Sequence, residues 1–212
     1  KGDDCIYFDG DKLHIDEALC IGCGICVNAA PEAISIVNLP GDMSDEPLYR
    51  YGKNQFALYR MPIPLFGKVV GLVGRNGTGK STALKVLANI LQPNFGREQS
   101  AGQREVITYF RGSEAQEYFE KLYSGAITVA YKPQHVDAIP KAFSGKVVDL
   151  LRKVDETGKL SEVIDTLDLH EFLETDVNAI SGGELQRVAI AATLLKKANV
   201  YVFDEPTSYL DI

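Results

Sequence analysis

The chain has 212 residues, 45% of them hydrophobic and 24% charged, with a mean hydropathy of −0.06, a balance that suits a globular fold and excludes a collagenous, fibrous or disordered polypeptide. The formal charge of −7 is unevenly placed: residues 1–50 hold ten acids and three bases, which accounts for all of it, and residues 51–212 hold nineteen of each. No apolar run approaches the roughly 18 residues of a membrane span, and Lys1-Gly2-Asp3-Asp4 is unlike a signal peptide, so a cytoplasmic chain with no membrane partner is expected.

All four cysteines, Cys5, Cys20, Cys23 and Cys26, lie in the first 26 residues. In a reducing compartment such clustering points to metal or redox chemistry rather than disulfides, and it sets residues 1–41 apart as a small unit. Cys20-Ile21-Gly22-Cys23-Gly24-Ile25-Cys26 has the C-x2-C-x2-C spacing of an iron–sulfur run, with Pro31 where that run's proline would stand. A zinc site or free thiols are the other readings of the same residues. Leu39-Pro40-Gly41 closes this segment, and residues 42–48 read as a linker. From residue 49 the pattern is α/β. Residues 69–73 read as a buried strand, 81–91 as a helix, 126–131 as a strand, 147–154, 160–167 and 185–197 as helices, and 200–203 as a short apolar strand.

Gly74-Arg75-Asn76-Gly77-Thr78-Gly79-Lys80-Ser81 fills every fixed position of a GxxxxGK[ST] phosphate loop, between the expected strand and helix. Its glycines let backbone N–H groups converge on phosphate oxygens, Lys80 supplies a mobile cation, and the Ser81 hydroxyl suits Mg²⁺. The bland alternative is a glycine-rich turn that binds nothing. Farther along, Ser181-Gly182-Gly183-Glu184-Leu185-Gln186 has the S-x-x-E spacing of a capping box. Its two glycines cost helix stability, about 1 kcal/mol each in an interior, so close approach to an anion is a reason for them beyond a plain cap. Val200-Tyr201-Val202-Phe203 ends in Asp204-Glu205. Acids at the carboxyl end of a parallel strand are placed to reach a nucleotide's metal and to activate water, whereas the bland alternative is a strand exiting into a polar turn.

Those motifs, with Gln134 in Tyr131-Lys132-Pro133-Gln134 and with Ser208-Tyr209-Leu210-Asp211, stand in the order and spacing of an ATP-binding-cassette domain. The resemblance implies a P-loop NTPase of ABC type over residues 49–212, preceded by a small ferredoxin-like α+β segment. It implies that Gly74, Asn76, Gly77, Thr78, Gly79, Lys80, Ser81 and Thr82 hold the phosphates of ATP, and that Ser81, Gln134 and Asp204 serve Mg²⁺. Glu205 would be the general base of an ATPase, with Lys80 and Gln134 assisting. Ser181, Gly182, Gly183 and Gln186 would face ATP held by a second, opposing cassette. Adenine stacking would fall to Tyr51, with Phe56 nearby, although both aromatics read equally well as core residues.

A cysteine arm ahead of a cassette resembles subfamily E, the ribosome-recycling or RNase L inhibitor family. The likeness extends over Glu17–Cys26, Ala33–Pro40, Tyr109-Phe110-Arg111-Gly112-Ser113-Glu114 and Ser208–Asp211. It implies a ribosome-splitting factor whose two cassettes close on ATP, with the small ribosomal subunit, its rRNA and release or recycling factors as partners. Residues 109–123 match that family's helix–loop–helix insert, and Arg111, Gln116, Tyr118, Phe119 and Lys121 mix bases and aromatics as an RNA-facing element does, although a solvated amphipathic helix is an equally ordinary reading. An ABC transporter subunit and an ATP-gated redox module are the alternatives.

Two departures qualify the resemblance. Ala30 stands where the fourth cysteine of the run is expected, so Cys20, Cys23 and Cys26 offer an incomplete ligand set for one 4Fe-4S cluster. Residues 49–212 stop short of a switch histidine and a second cassette, so a piece of a longer protein, truncated after the Ser208–Asp211 loop, is expected, with turnover dependent on a second cassette.

Overall fold

The computed structural model describes residues 6–9, 12–15, 25–32 and 46–208. Cys5, Cys20, Cys23, residues 42–45 of the expected linker and residues 209–211 lie outside them. The chain divides into two compact units, Lys1–Val86 with Leu91–Phe119, and Leu87–Ile90 with Glu120–Ile212.

The first unit begins with an antiparallel pair, β1 (Ile6–Asp9) and β2 (Lys12–Ile15), in register from Ile6 opposite Ile15 to Asp9 opposite Lys12. A short helix follows, α1 (Ile25–Ala29). Strands β3 (Tyr49–Arg50) and β4 (Ala57–Leu58) form a second antiparallel pair only two residues long. So brief a ladder needs outside support, and the buried Asn94 side chain provides it. The Arg50 N–H donates to Asn94 Oδ1 at 2.9 Å, Asn94 Nδ2 donates to the Arg50 carbonyl at 2.7 Å, and the Gly96 N–H also donates to Oδ1 at 3.1 Å. One side-chain amide, with donor and acceptor side by side, thus stands in for a missing strand.

Helices α2 (Lys80–Leu87), α3 (Gln103–Tyr109) and α4 (Glu114–Tyr123) complete this unit's regular structure. A run of aromatic contacts ties α3 to α4: Phe95 on Tyr109 at 4.7 Å between ring centroids, Phe110 stacked on Phe119 at 5.1 Å, and Tyr118 edge-on to Phe119 at 5.5 Å. Tyr118 and Phe119 are each 1% exposed, and burial pushes the Tyr118 phenol well above its ordinary range. The two rings are therefore core and not RNA-facing. Their spacing next to bases did not reveal that the amphipathic α4 turns its aromatic side inward.

Residues 69–73 also differ from expectation. They form no strand, and Val69 and Val73 are 101% and 77% exposed. A strand apolar on both faces needs a ladder partner and cover on each side. Among the described residues of this unit it has no ladder partner.

In the second unit β5 (Val129–Lys132) is followed by α5 (Ala138–Ala142), α6 (Val147–Val154), α7 (Leu160–Thr166), a 3-10 turn at His170–Phe172, α8 (Gly182–Leu194) and β6 (Val200–Phe203). Strands β5 and β6 pair in parallel, Val129 with Val200 through Lys132 with Phe203. Helix α6 buries Val147, Val148 and Leu151, one stripe of its surface, and carries Asp149 in its first turn and Arg152 and Lys153 in its last, the order the helix dipole favours. Val147 and Leu151 of that stripe share one core with Leu169 and Phe172 and with Val188, Ala191 and Leu195 on and just after α8. Arg187 fastens α8 from the side, its guanidinium 5.0 Å from the Phe172 ring centroid and donating to the Asp168 carbonyl at 3.0 Å. The helix expected at 185–197 starts three residues earlier because its cap lies at Ser181.

Candidate functional site

Each unit carries some of the residues that the motifs single out. In the first, residues 74–79 form an open loop leading into α2, with Gly77 and Gly79 in the left-handed region at φ +81° and +98°. Asn76, Gly77 and Thr78 are exposed. The loop is closed on itself by its own cation: Lys80 Nζ donates to the Gly74 carbonyl and, at 2.8 Å, to the Arg75 carbonyl, which also accepts from Thr78 Oγ1 at 2.8 Å. The first turn of α2, Lys80-Ser81-Thr82, contains no acid, so the helix dipole and the ammonium leave this end positive. That donor set fits phosphate oxygens.

The two aromatics flank this loop in different ways. Tyr51 is 47% exposed, stands edge-on to Tyr49 at 5.0 Å, and its hydroxyl lies 3.3 Å from Thr82 Oγ1. Phe56 packs on the loop backbone: a Cβ built on Gly79 would lie 2.5 Å from Phe56 Cζ. Tyr51 is thus open to a ring stacked on it, and Phe56 is a wall of the loop.

In the second unit the carboxyl end of β6 brings five polar side chains together. Asp204 is 2% exposed and accepts from the Tyr131 hydroxyl at 3.1 Å. The Glu205 carboxylate accepts from Gln134 Nε2 at 2.8 Å and from Ser208 Oγ at 3.2 Å, although Gln134 is 71 positions away in the chain. Gln134, His135, Glu205 and Ser208 line a cavity of about 280 Å³. Glu205 adopts φ +45°, a conformation disfavoured for a residue with a Cβ. Asp204 and Gln134 offer hard oxygens of the kind Mg²⁺ takes, as Ser81 does in the first unit.

Lys132 is the residue here that the motifs do not account for. It is fully buried, and its Nζ donates to the carbonyls of Asp204 and Glu205 at 3.2 and 3.3 Å. Burial holds its ammonium below the ordinary lysine range, against the opposing pull of the Asp204 and Glu205 carboxylates. The only sequence signal was its place two residues before Gln134.

The second glycine motif opens α8 as a capping box: the Glu184 N–H donates to Ser181 Oγ at 3.3 Å and the Ser181 N–H donates to Glu184 Oε2 at 2.7 Å. These bonds hold the Glu184 carboxyl below its usual range. Ser181 and Gly182 are exposed, and a Cβ on Gly182 would meet nothing within 4 Å. Gln186 differs from its expected role. It is 0% exposed, and its amide finds no hydrogen-bond partner among the described residues. Its amide is therefore enclosed and not presented at the surface where Ser181 and Gly182 stand.

Of the four cysteines only Cys26 lies within the described residues, half-buried on α1. No group of three metal-ligating side chains occurs among the described residues, and none of their helices is long and apolar enough to cross a membrane.

The family model described as ABC transporter matches residues 66–208, well over half of the chain. The chain belongs to the ABC family of ATP-binding cassettes. Residues 13–29 match the model of a 4Fe-4S binding domain. Over 95% of its length the cassette chain is 52% identical to ABC transporter E family member 1 of Arabidopsis thaliana, covering 34% of that protein. It is 48% identical over 93% of its length to translation initiation factor RLI1 of Saccharomyces cerevisiae, again covering 34%. A model of ribosome-bound archaeal Pelota and ABCE1 matches at TM-score 0.74 and 54% identity, covering 100% of this chain and 36% of that one. The cassette thus spans about a third of the length of the relatives it matches.

Proposed function

We propose that this chain is an ATP-hydrolysing cassette of a cytoplasmic ribosome-recycling factor, in which ATP-driven closure against a second cassette separates ribosomal subunits. What carries the reading is one combination: a 4Fe-4S match at residues 13–29 beside an ABC match at 66–208, with about half identity to subfamily E over nearly the whole chain. The structural relative bound to a ribosome with Pelota supports the small subunit and release or recycling factors as partners.

Bound Mg-ATP would supply the phosphoanhydride and the charge neutralisation; the chain supplies position and proton transfer. Lys80 and the N–H groups of residues 74–82 would hold the phosphates, and Ser81, Gln134 and Asp204 would hold the metal. Glu205 takes the proton of the attacking water. Its partners, Gln134 and Ser208, keep the carboxylate oriented. Nothing among the described residues requires glycine at 182, which supports an outside ligand: the γ-phosphate of ATP on the opposing cassette, approached by Ser181, Gly182 and Gly183. Cys20, Cys23 and Cys26 would hold a cluster that takes no part in these steps.

The test combines Mg-ATP binding, hydrolysis and co-sedimentation with small ribosomal subunits or lipid vesicles. Glu205→Gln should keep binding and lose about 100-fold or more in turnover, the range for removing a general base. Hydrolysis that survives this substitution, or partition to vesicles rather than ribosomal subunits, would overturn the reading.

A further inference from the structure

Burying an ammonium group costs several kcal/mol even after relaxation, so a fully buried lysine survives only where something fixed repays it. Lys132 has no solvent exposure, and its ammonium donates to two successive main-chain carbonyls, those of Asp204 and Glu205. The grip is double. Lys132 faces Phe203 in the parallel ladder, and its own carbonyl accepts the Asp204 N–H at 3.0 Å. Backbone on one side and side chain on the other therefore hold the same dipeptide. The neighbouring Tyr131 adds a third hold through its hydroxyl on Asp204 Oδ2.

What is held is strained. Glu205 sits at φ +45°, a conformation that costs a residue with a Cβ on the order of 1–2 kcal/mol and persists only when its surroundings over-determine it. Turning the Glu205 peptide to an ordinary negative φ would move the carboxylate off Gln134 and Ser208. Two carbonyls aimed at one ammonium oppose that turn.

We propose that Lys132 is a positioning residue for ATP hydrolysis: its buried ammonium, by gathering the carbonyls of Asp204 and Glu205, locks the left-handed turn that aims the Glu205 carboxylate. Lys132 does not touch the reacting atoms. It acts through the backbone of the residue that does, and the inference rests on the ATPase reading above.

The substitution Lys132→Met keeps the length and packing of the side chain and removes the charge and all three N–H donors. In the full chain it should lower kcat at least tenfold while the Mg-ATP KM and the affinity for a fluorescent ATP analogue stay within twofold, because the phosphate loop is untouched. Lys132→Arg, which restores a cation with donors, should recover part of the lost turnover. In the nucleotide-free chain, hydrogen exchange in Lys132→Met should speed up in the peptide covering residues 203–208 and stay unchanged in α6 and α8.

Unchanged kcat in Lys132→Met overturns the proposal. So does exchange that rises across the whole second unit, which would make the lysine a general support of the fold. If Lys132→Met does not fold, Lys132→Arg decides: a folded arginine variant within threefold of the wild-type kcat supports the proposal, and one that has lost turnover overturns it. A wild-type chain whose hydrolysis is insensitive to Glu205→Gln would sink the ATPase reading itself, an outcome distinct from all of these.

Discussion

Gly79 offers the sharpest quantitative test of the phosphate loop, because two separate penalties fall on one added methyl group. Its φ of +98° puts Gly79→Ala in a region that costs about 1–2 kcal/mol for a residue with a Cβ. The new Cβ would also lie 2.5 Å from Phe56 Cζ and 3.1 Å from Leu58 Cδ1, an overpacking that costs typically about 1–3 kcal/mol. The sum is about 2–5 kcal/mol. Gly77 provides the internal comparison, with φ +81° and no atom within 4 Å of the same Cβ. Gly77→Ala should carry the torsional part alone, about 1–2 kcal/mol.

Urea denaturation of the two single variants, repeated in a Phe56→Ala background, separates the terms as a double-mutant cycle. In that background the Gly79→Ala penalty should fall toward that of Gly77→Ala, leaving a coupling of about 1–3 kcal/mol. Affinity for Mg-ATP should follow: every 1.4 kcal/mol of loop distortion is about tenfold in Kd. Equal penalties at the two glycines, or a Gly79→Ala penalty unchanged by removing the Phe56 ring, would refute the steric argument and leave only backbone torsion.

Three further outcomes are expected. Asn94→Ala removes two hydrogen bonds that tie β3 to the chain following α2 and a third, from the Gly96 N–H, within that segment; at about 1 kcal/mol each, the midpoint of urea unfolding should drop by the equivalent of about 2–4 kcal/mol. Gln186→Met replaces a fully buried amide that has no partner among the described residues, so thermal unfolding should shift upward by the equivalent of about 1–3 kcal/mol, with ATP affinity unchanged. The capping box of α8 predicts a pH dependence. The folded Glu184 carboxyl lies below its ordinary range because Ser181 donates to it, so its contribution is complete above the unfolded value near about 4.3. That contribution is lost as pH falls through the lowered folded value. The stability difference between wild type and Glu184→Gln, followed by urea titration, should therefore shrink on acidification below about pH 4; a difference that grows in acid would contradict the assignment.

Much of the chemistry was legible in the residue string because it is local. The φ values of Gly77 and Gly79 are demands that a glycine satisfies within its own peptide units. The reciprocal cap of Ser181 and Glu184 closes over four residues, and the apolar stripe of α6 repeats within two turns. Helix α6 and strand β6 fall where periodicity placed them, as features whose cause lies within a few residues should.

Burial is another matter, since it depends on what the rest of the chain brings alongside. The apolar run at 69–73 signals that cover is needed but not where it comes from, and Val69 stands exposed. Tyr118 and Phe119 have the composition of a binding face and the burial of a core. Gln186 sits inside a nucleotide motif but is enclosed. The meeting of Gln134 with Glu205, and of Lys132 with the carbonyls beyond β6, joins positions more than 70 residues apart. No local pattern encodes such a pairing: the parallel register of β5 on β6 brings the two strand ends together and decides which side chain is left in the dark beside the acids.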